Sequence, residues 1–191
     1  MTGDSSRLTR AEIHKLFAML DRELATQGVE GELYLMGGAV MCLALNARDA
    51  TRDVDALFRP AKEVREAATR VAVAAGLPAS WLNDAVKGYL SPRGDFDAFL
   101  QLQHLRVFVA RPEYLLAMKC AAMRLGAEFH DVDDVRYLLR YLDVTTSEQA
   151  MTIVTRYFDE SQLLPKTRLA LKELLPARGA TLDLGTGMAE H

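Results

Sequence analysis

Apolar residues near the start of the chain recur at the spacing of an amphipathic helix. The stripe consists of Ile13, Leu16, Phe17, Leu20 and Leu24. Thr9 and Glu12 precede this stripe at the spacing of a capping box, and Gly28 follows it. The pattern predicts a helix that begins after Thr9 and ends before Gly28.

Two apolar runs of strand length come next, with a helical run between them. The first run covers residues 33–36 and ends at Gly37 and Gly38, after which helical spacing begins. The second run contains Asp53 and Asp55. Because successive strand side chains point to opposite faces, we expect these two carboxylates on one face, about 6–7 Å apart.

The remaining pattern predicts helices and one further strand. We expect a helix from Pro60 to Ala75, a short helix over residues 81–88, a loop over 91–95 and a strand over 105–110. Helical spacing then continues from Pro112, with breaks near Gly126, Thr145 and Pro165.

These elements predict an α+β fold in which helices flank a small mixed sheet. We expect a core over residues 1–110, a C-terminal helical part over 111–178 and a weakly packed tail over 179–191.

Composition narrows the class of protein. Half of the residues are hydrophobic and 26% are charged, as in ordinary globular proteins, and the net charge of −3 argues against broad binding to nucleic acids. Cys42 and Cys120 both fall in apolar helical runs, which favours buried free thiols in a reducing compartment. Without a signal core or a membrane-length apolar run, the sequence predicts a cytoplasmic protein.

The pair of Asp53 and Asp55 is the strongest candidate for chemistry. Strand interiors disfavour Asp, and two neighbouring carboxylates repel each other unless a cation lies between them. Oxygen ligands of this kind suit Mg²⁺, which is often held by one or two carboxylates and substrate phosphates. A solvated strand edge and a glycosyltransferase site remain alternatives, whereas Leu57 argues against a haloacid-type phosphatase.

Gly37 and Gly38 begin the helical run, and because they carry no side chains, their backbone can approach a phosphate. Thr51, just before the carboxylates, is a further candidate for phosphate binding, although threonine is also an ordinary strand residue. A metal site next to a phosphate site indicates an enzyme that handles nucleotides.

Lys119 falls near the middle of the apolar face of its predicted helix. A buried ammonium must either extend to the surface or meet a negative charge, and the carboxylate and triphosphate site is such a partner. Farther on, Asp131 lies at the edge of another apolar stripe and Asp134 on its flank. Residue spacing favours a helix cap for Asp134 and leaves Asp131 divided between cap and site.

The order of these segments resembles the DNA polymerase β-like nucleotidyltransferases, and most of all the small bacterial proteins around the AbiE-type toxins. The resemblance covers about residues 30–142. It is carried by the glycine pair with Asp-Val-Asp at 53–55, Trp-Leu-Asn-Asp-Ala-Val-Lys-Gly at 81–88, Pro-Glu-Tyr-Leu-Leu-Ala-Met-Lys at 112–119, and Asp131 with Asp134.

The resemblance implies a nucleotidyltransferase fold and Mg²⁺-dependent transfer of a nucleotidyl group from an NTP. The acceptor would be RNA, such as the 3′ end of tRNA, in a toxin–antitoxin or phage-defence setting with a cognate antitoxin as partner. Asp53 and Asp55 would hold the metal, Lys119 would be catalytic, and Asp131 would orient it or the acceptor.

The sequence departs from the wider superfamily at one point. The strand over 105–110 lacks a third carboxylate, and Asp95 and Asp97 lie in or near a predicted loop. Two alternatives therefore stay open, a degraded nucleotidyltransferase that acts as a binding module and an enzyme that modifies protein. A basic rim for nucleic acid or triphosphate would come from Arg48, Arg52, Lys87, Arg93 and Arg106.

Overall fold

The computed structural model describes residues 7–122 and 131–175, apart from the side chains of Tyr89 and Asp131. The fold is α+β, as the sequence predicts. The predicted tail over 179–191 and the break near Gly126 lie outside the described residues. The described strands are β1 (Leu8–Thr9), β2 (Gly31–Leu35), β3 (Ala50–Thr51), β4 (Val54–Arg59), β5 (Leu82–Asn83), β6 (Phe96–Gln101) and β7 (Leu105–Ala110). The described α-helices are α1 (Arg10–Gln27), α2 (Gly37–Leu43), α3 (Ala61–Ala75), α4 (Pro112–Ala122), α5 (Asp131–Tyr141), α6 (Ser147–Tyr157) and α7 (Pro165–Leu174).

The main sheet is mixed and has the strand order β5-β4-β2-β7-β6. The central strand β2 runs antiparallel to β4 and parallel to β7, while β5 is parallel to β4 and β6 is antiparallel to β7. A separate pairing of β1 with β3 places Leu8 opposite Thr51. This second pairing fixes the start of the chain beside the segment that leads into Asp53.

Alternation along the strands decides which face of the sheet is buried. Leu33 and Leu35 in β2, with Val54 and Ala56 in β4, are fully buried on one face. On that face, a Cβ atom at Gly31 would lie against the side chains of Leu24 in α1 and Val64 in α3. Helices α1 and α3 therefore cover this face, and Asp55 points to the opposite one.

The predicted boundaries of the first helices agree with the structure. Thr9 and Glu12 form the capping box of α1, and Gly28 ends the helix in the left-handed conformation. All five residues of the predicted apolar stripe are buried. Helix α3 begins at Ala61 and ends at a left-handed Gly76.

The C-terminal helices share the core of the sheet part. Helix α4 follows β7 directly and buries a run from Tyr114 to Met118, and α5, α6 and α7 pack around it. One cluster of buried side chains runs from Leu8 to Leu171. Cys42 and Cys120 are buried free thiols, as predicted.

Two local predictions are wrong, and strand β6 was not predicted. Residues 82–83 are not part of a helix, because they pair with β4 as a short strand. Short 3₁₀ turns precede and follow this strand. Residues 96–101 form strand β6, which the sequence pattern did not predict, and Asp97 lies in this strand near the predicted loop. Asp53 directly precedes β4 instead of lying within it.

The sole tryptophan anchors the edge of the sheet at β5. Trp81 is 2% exposed, and its indole N–H donates to the carbonyl oxygen of Ala68 in α3 at 3.0 Å. In the parts of the chain that are described, no helix has the length and apolar character needed to cross a bilayer.

Candidate functional site

The two carboxylates of the site lie at the start of β4, beside the edge strand β5. Asp55 is paired with Asn83 in the register of β4 and β5, and the Asn83 side-chain amide donates to Oδ2 of Asp53 at 3.3 Å. Val54 between them is fully buried. Asp53 and Asp55 therefore share the side of the sheet that α1 and α3 leave free, as alternation predicts.

The glycine pair lies directly against this site. Gly37 begins α2 with a φ of +61°, and a Cβ atom at this position would lie 2.5 Å from Oδ2 of Asp55. A Cβ atom at Gly38 would lie 2.5 Å from Oγ1 of Thr51, a side chain that is itself buried. The glycines thus bring the α2 backbone up to Asp55 and Thr51, which residues with side chains would prevent.

Burial dominates the electrostatics of the two carboxylates, and the nearby positive charges offset it only in part. Burial and the neighbouring Asp53 charge raise the pKa of Asp55 to about 6, although the Asn83 hydrogen bond and the Lys119 charge act to lower it. Burial also raises the pKa of Asp53, against the opposing effects of Arg52 and Asn83. A cation bound between the two carboxylates would remove this penalty.

A buried ion-pair network joins the helical part to the site. Asp134 of α5 pairs through Oδ1 with Arg48 and through Oδ2 with the Lys119 ammonium of α4, at 2.8 Å for the latter. The contact with Lys119 is ionic and lies outside hydrogen-bond alignment. The side chain of Asp134 is only 3% exposed and that of Lys119 16%, so charge neutralisation explains how both are buried.

This network corrects one interpretation of the sequence. Asp134 was expected to cap the helix, yet it is the buried carboxylate that holds Lys119. Residue spacing does not reveal this role, because Asp131 and Asp134 are one helical turn apart. The packing of α4 against α5 brings Lys119 to Asp134. Asp131 begins α5, but its side chain lies outside the described part of the chain.

A cavity of about 670 Å³ opens beside these groups. The sheet side contributes Gly38, Thr51, Asp53 and Asp55, and α5 contributes Asp134, Tyr137 and Arg140. The Tyr137 hydroxyl donates to the carbonyl oxygen of Leu45 at 2.7 Å, which fixes this wall of the cavity. Such a concave space, with polar groups converging at one end, is typical of small-molecule sites.

The predicted basic rim does not come together. Lys87 pairs with Asp84, Arg93 with Asp159 at 2.8 Å, and Arg106 with Glu32 at 2.7 Å. Only Arg48 and Arg52 of the five line the cavity, and Arg48 is held by Asp134. Arg140, which the sequence did not single out, lines the cavity with them.

No third strand carboxylate reaches the cavity among the described residues. Asp97 of β6 pairs with Arg111 at 3.3 Å, and Asp95 lies 3.5 Å from the same guanidinium. The described part of the chain holds no cluster of three or more His, Cys, Asp or Glu side chains placed to bind a metal. A divalent cation at Asp53 and Asp55 would therefore need further oxygen ligands from substrate or water, which is how Mg²⁺ is commonly bound.

The donor set fits such a cation. Both ligands are hard carboxylate oxygens on one side of the sheet. Burial raises the pKa of both carboxyls and the Asp53 charge adds to the rise at Asp55, which a bound cation would counteract. Comparison with protein-family models, with curated proteins and with solved structures finds no match to this chain.

Proposed function

We propose that this protein is a Mg²⁺-dependent nucleotidyltransferase that moves an NMP group from an NTP to an acceptor hydroxyl. The observation that carries the proposal is that Asp53, Asp55 and Gly38 line one cavity. Gly37 lies against the Asp55 carboxylate, and the Lys119 charge acts on that same carboxylate. The resemblance of the sequence to AbiE-type nucleotidyltransferases points the same way.

The carboxylates supply the negative charge at this end of the cavity. Asp53 and Asp55 would hold Mg²⁺, which when bound neutralises charge on the triphosphate in an in-line displacement. The acceptor oxygen forms a bond to the α-phosphorus while the α–β bridging bond breaks. Pyrophosphate leaves, and the hydroxyl proton passes to solvent.

The remaining residues bind and orient the substrates. Gly37 and Gly38 bring backbone close to the carboxylates, where phosphate oxygens would lie, and Thr51 offers a hydroxyl beside Gly38. Lys119, positioned by Asp134, places an ammonium where it acts on the Asp55 charge. In the reaction this ammonium would offset charge on the triphosphate and on the leaving pyrophosphate.

RNA, with the 3′ end of tRNA as the specific case, is the proposed acceptor, and a toxin–antitoxin or phage-defence pair is the proposed setting. The test is incubation with each α-³²P-labelled NTP, Mg²⁺ and total RNA or lysate, followed by gel separation. We expect ribonuclease to remove the label. Label that withstands ribonuclease and disappears with protease would replace RNA with a protein acceptor.

Matched variants separate this activity from contamination. Asp53→Asn and Asp55→Asn should each lower transfer about 10³-fold, on the order of 4 kcal/mol of barrier. Asp97→Asn removes a carboxylate from strand β6, away from the cavity, and should leave transfer unchanged. Unchanged transfer by either site variant would refute the metal assignment.

A second candidate is a non-catalytic binding module with the same fold. It is favoured by one observation, the lack of a third strand carboxylate at the cavity among the described residues. This candidate predicts no labelling with any NTP. It replaces the enzyme proposal if Mg²⁺-dependent NTP binding is also absent.

A further inference from the structure

Two of the guanidinium groups that line the cavity form no ion pair with a carboxylate in the part of the chain that the structure describes. Arg52 lies between β3 and β4, and Arg140 lies in the last turn of α5. Both side chains are exposed, and neither forms an ion pair with a carboxylate of the described residues. In contrast, Arg48 is held in an ion pair by Asp134, so Arg52 and Arg140 offer positive charge to the cavity that Arg48 does not.

Helix α5 sets how far Arg140 lies from the carboxylate end. Asp134, Tyr137 and Arg140 recur every three residues along the cavity and change from buried to half-buried to exposed. With a rise of about 1.5 Å per residue, the Arg140 backbone lies about 9 Å along the helix axis from that of Asp134. Since Asp134 holds Lys119 beside Asp55, Arg140 marks the outer end of the cavity.

The separation of the two ends is fixed by packing. The Tyr137 hydroxyl is bonded to Leu45 in the segment after α2, and the Tyr137 ring stacks on Tyr141 with centroids 6.1 Å apart. The hydrogen bond to Leu45 holds the middle of α5 against the segment after α2, and the ring contact within α5 orients Tyr137. The cavity therefore has the carboxylates at its deep end, with Arg52 next to Asp53, and Arg140 at its outer end.

We propose that Arg52 and Arg140 are anion contacts along the cavity wall, which bind two backbone phosphates of a nucleic-acid acceptor. This inference rests on the proposed function, because it assigns the deep end to the NTP. An acceptor whose terminal hydroxyl reaches the deep end would place its preceding phosphates toward the cavity mouth. Guanidinium groups bind phosphate through paired N–H donors, and a protein acceptor would bring no such anion.

The other acidic residues of the cavity set the expected strength of binding. Asp133 is paired with Arg136 at 3.4 Å, whereas Asp49 also lines the cavity and offsets part of the arginine charge. With a net charge of −3 on the whole chain, binding should depend on these few contacts. Two phosphate contacts on a single strand correspond to a log–log salt slope of about −1.4.

The experiment measures two ligands on the same preparations. Binding of a short fluorescein-labelled oligouridylate is followed by anisotropy over a range of salt, and binding of a fluorescent ATP analogue is followed with and without Mg²⁺. The variants are Arg52→Gln, Arg140→Gln and the double variant. The control is Arg93→Gln, since Arg93 was predicted in the same rim but pairs with Asp159 outside the cavity.

The expected result is a loss of oligouridylate affinity of tenfold or more in the double variant, with the salt slope moving toward zero. ATP-analogue binding should stay within about twofold, and Arg93→Gln should behave as wild type. Unchanged oligouridylate binding in the double variant would overturn the inference. An equal loss of ATP-analogue binding would also overturn it and assign the arginines to the triphosphate.

Failure of the proposed function gives a different pattern. If wild type does not bind the ATP analogue with Mg²⁺, the deep end is not a nucleotide site. An arginine-dependent loss of oligouridylate binding would still support the two anion contacts in that case.

Discussion

Gly37 lies so close to Asp55 that a single added carbon would meet the carboxylate at 2.5 Å. The two residues come from different elements, since Gly37 begins α2 and Asp55 belongs to β4. Hydrogen bonding fixes this approach, because the Met36 backbone N–H donates to the Asp55 carbonyl oxygen at 2.9 Å. The position of the Asp55 side chain thus depends on the absence of a side chain at residue 37.

The first prediction uses this contact. Gly37→Ala should destabilise the protein and weaken Mg²⁺-dependent NTP binding tenfold or more, because the methyl group displaces the Asp55 carboxylate. The left-handed backbone at Gly37 alone costs roughly 1–2 kcal/mol for a residue with a Cβ atom. Chemical denaturation and nucleotide titration measure the two effects.

Gly28→Ala is the matched control. Gly28 has a similar φ of +65°, but a Cβ atom there would meet nothing within 4 Å. This variant should pay the backbone cost and keep nucleotide binding. Equal loss of binding in both variants would show that the Asp55 contact is not the cause.

The second prediction concerns pH. Between pH 3.8 and about 6 the folded protein keeps a proton on Asp55 that the unfolded chain releases. Stability without metal should therefore fall as pH rises through this window, by up to about 3 kcal/mol from this group. Asp53, Asn83 and Lys119 act on the same carboxyl, so Asp55→Asn is compared with wild type under identical conditions.

Asp55→Asn should be more stable than wild type at pH 7.5 in EDTA, and the gap should close as pH approaches 4. Urea denaturation at several pH values gives this difference directly. A constant gap across the range, or a less stable variant at pH 7.5, would contradict the prediction.

The third prediction tests the network of Lys119 with Asp134. Lys119→Met should abolish transfer and, because it removes one of two cations from a buried carboxylate, should cost about 1–3 kcal/mol of unfolding free energy. Adding Asp134→Asn removes the buried charge that the first change left behind. A double-mutant cycle on denaturation should therefore show positive coupling of 1 kcal/mol or more.

Additive free energies in that cycle would show that the two groups do not interact. Full transfer by Lys119→Met would remove the lysine from the catalytic assignment while leaving its ion pair in place.

The fourth prediction concerns the thiols. Burial raises the pKa of Cys120 to about 12 and also raises the pKa of Cys42, so neither forms a reactive thiolate near neutral pH. A disulfide reagent at pH 8 should label neither residue in the native protein and both in denaturant. Labelling of a native thiol within minutes would show that its helix opens locally.

Some parts of the fold follow from sequence because the signals are local. The capping box at Thr9, the apolar stripe of α1 and the glycine that ends α3 each act within a few residues. The short edge strand β5 lacks such a signal. Two residues with only one strand neighbour carry no periodicity, and their conformation comes from pairing with β4.

The candidate site shows the same division. Alternation around Val54 was enough to predict that Asp53 and Asp55 share one side, even though Asp53 precedes the strand. The partner of Lys119 could not be predicted from the sequence, because Asp134 comes to Lys119 only through the packing of α5 against α4. The predicted basic rim does not form for a related reason, since the sequence does not show which surface carboxylates will pair with its arginines and lysine.

Trp81 gives the protein an intrinsic optical reporter at a useful place. All tryptophan emission from this chain comes from one buried indole, which is fixed to α3 by the bond to Ala68. The indole lies on the same short segment as Asn83, two residues before the amide that contacts Asp53. A change in emission on addition of metal or nucleotide would therefore report on the edge of the carboxylate site without any label.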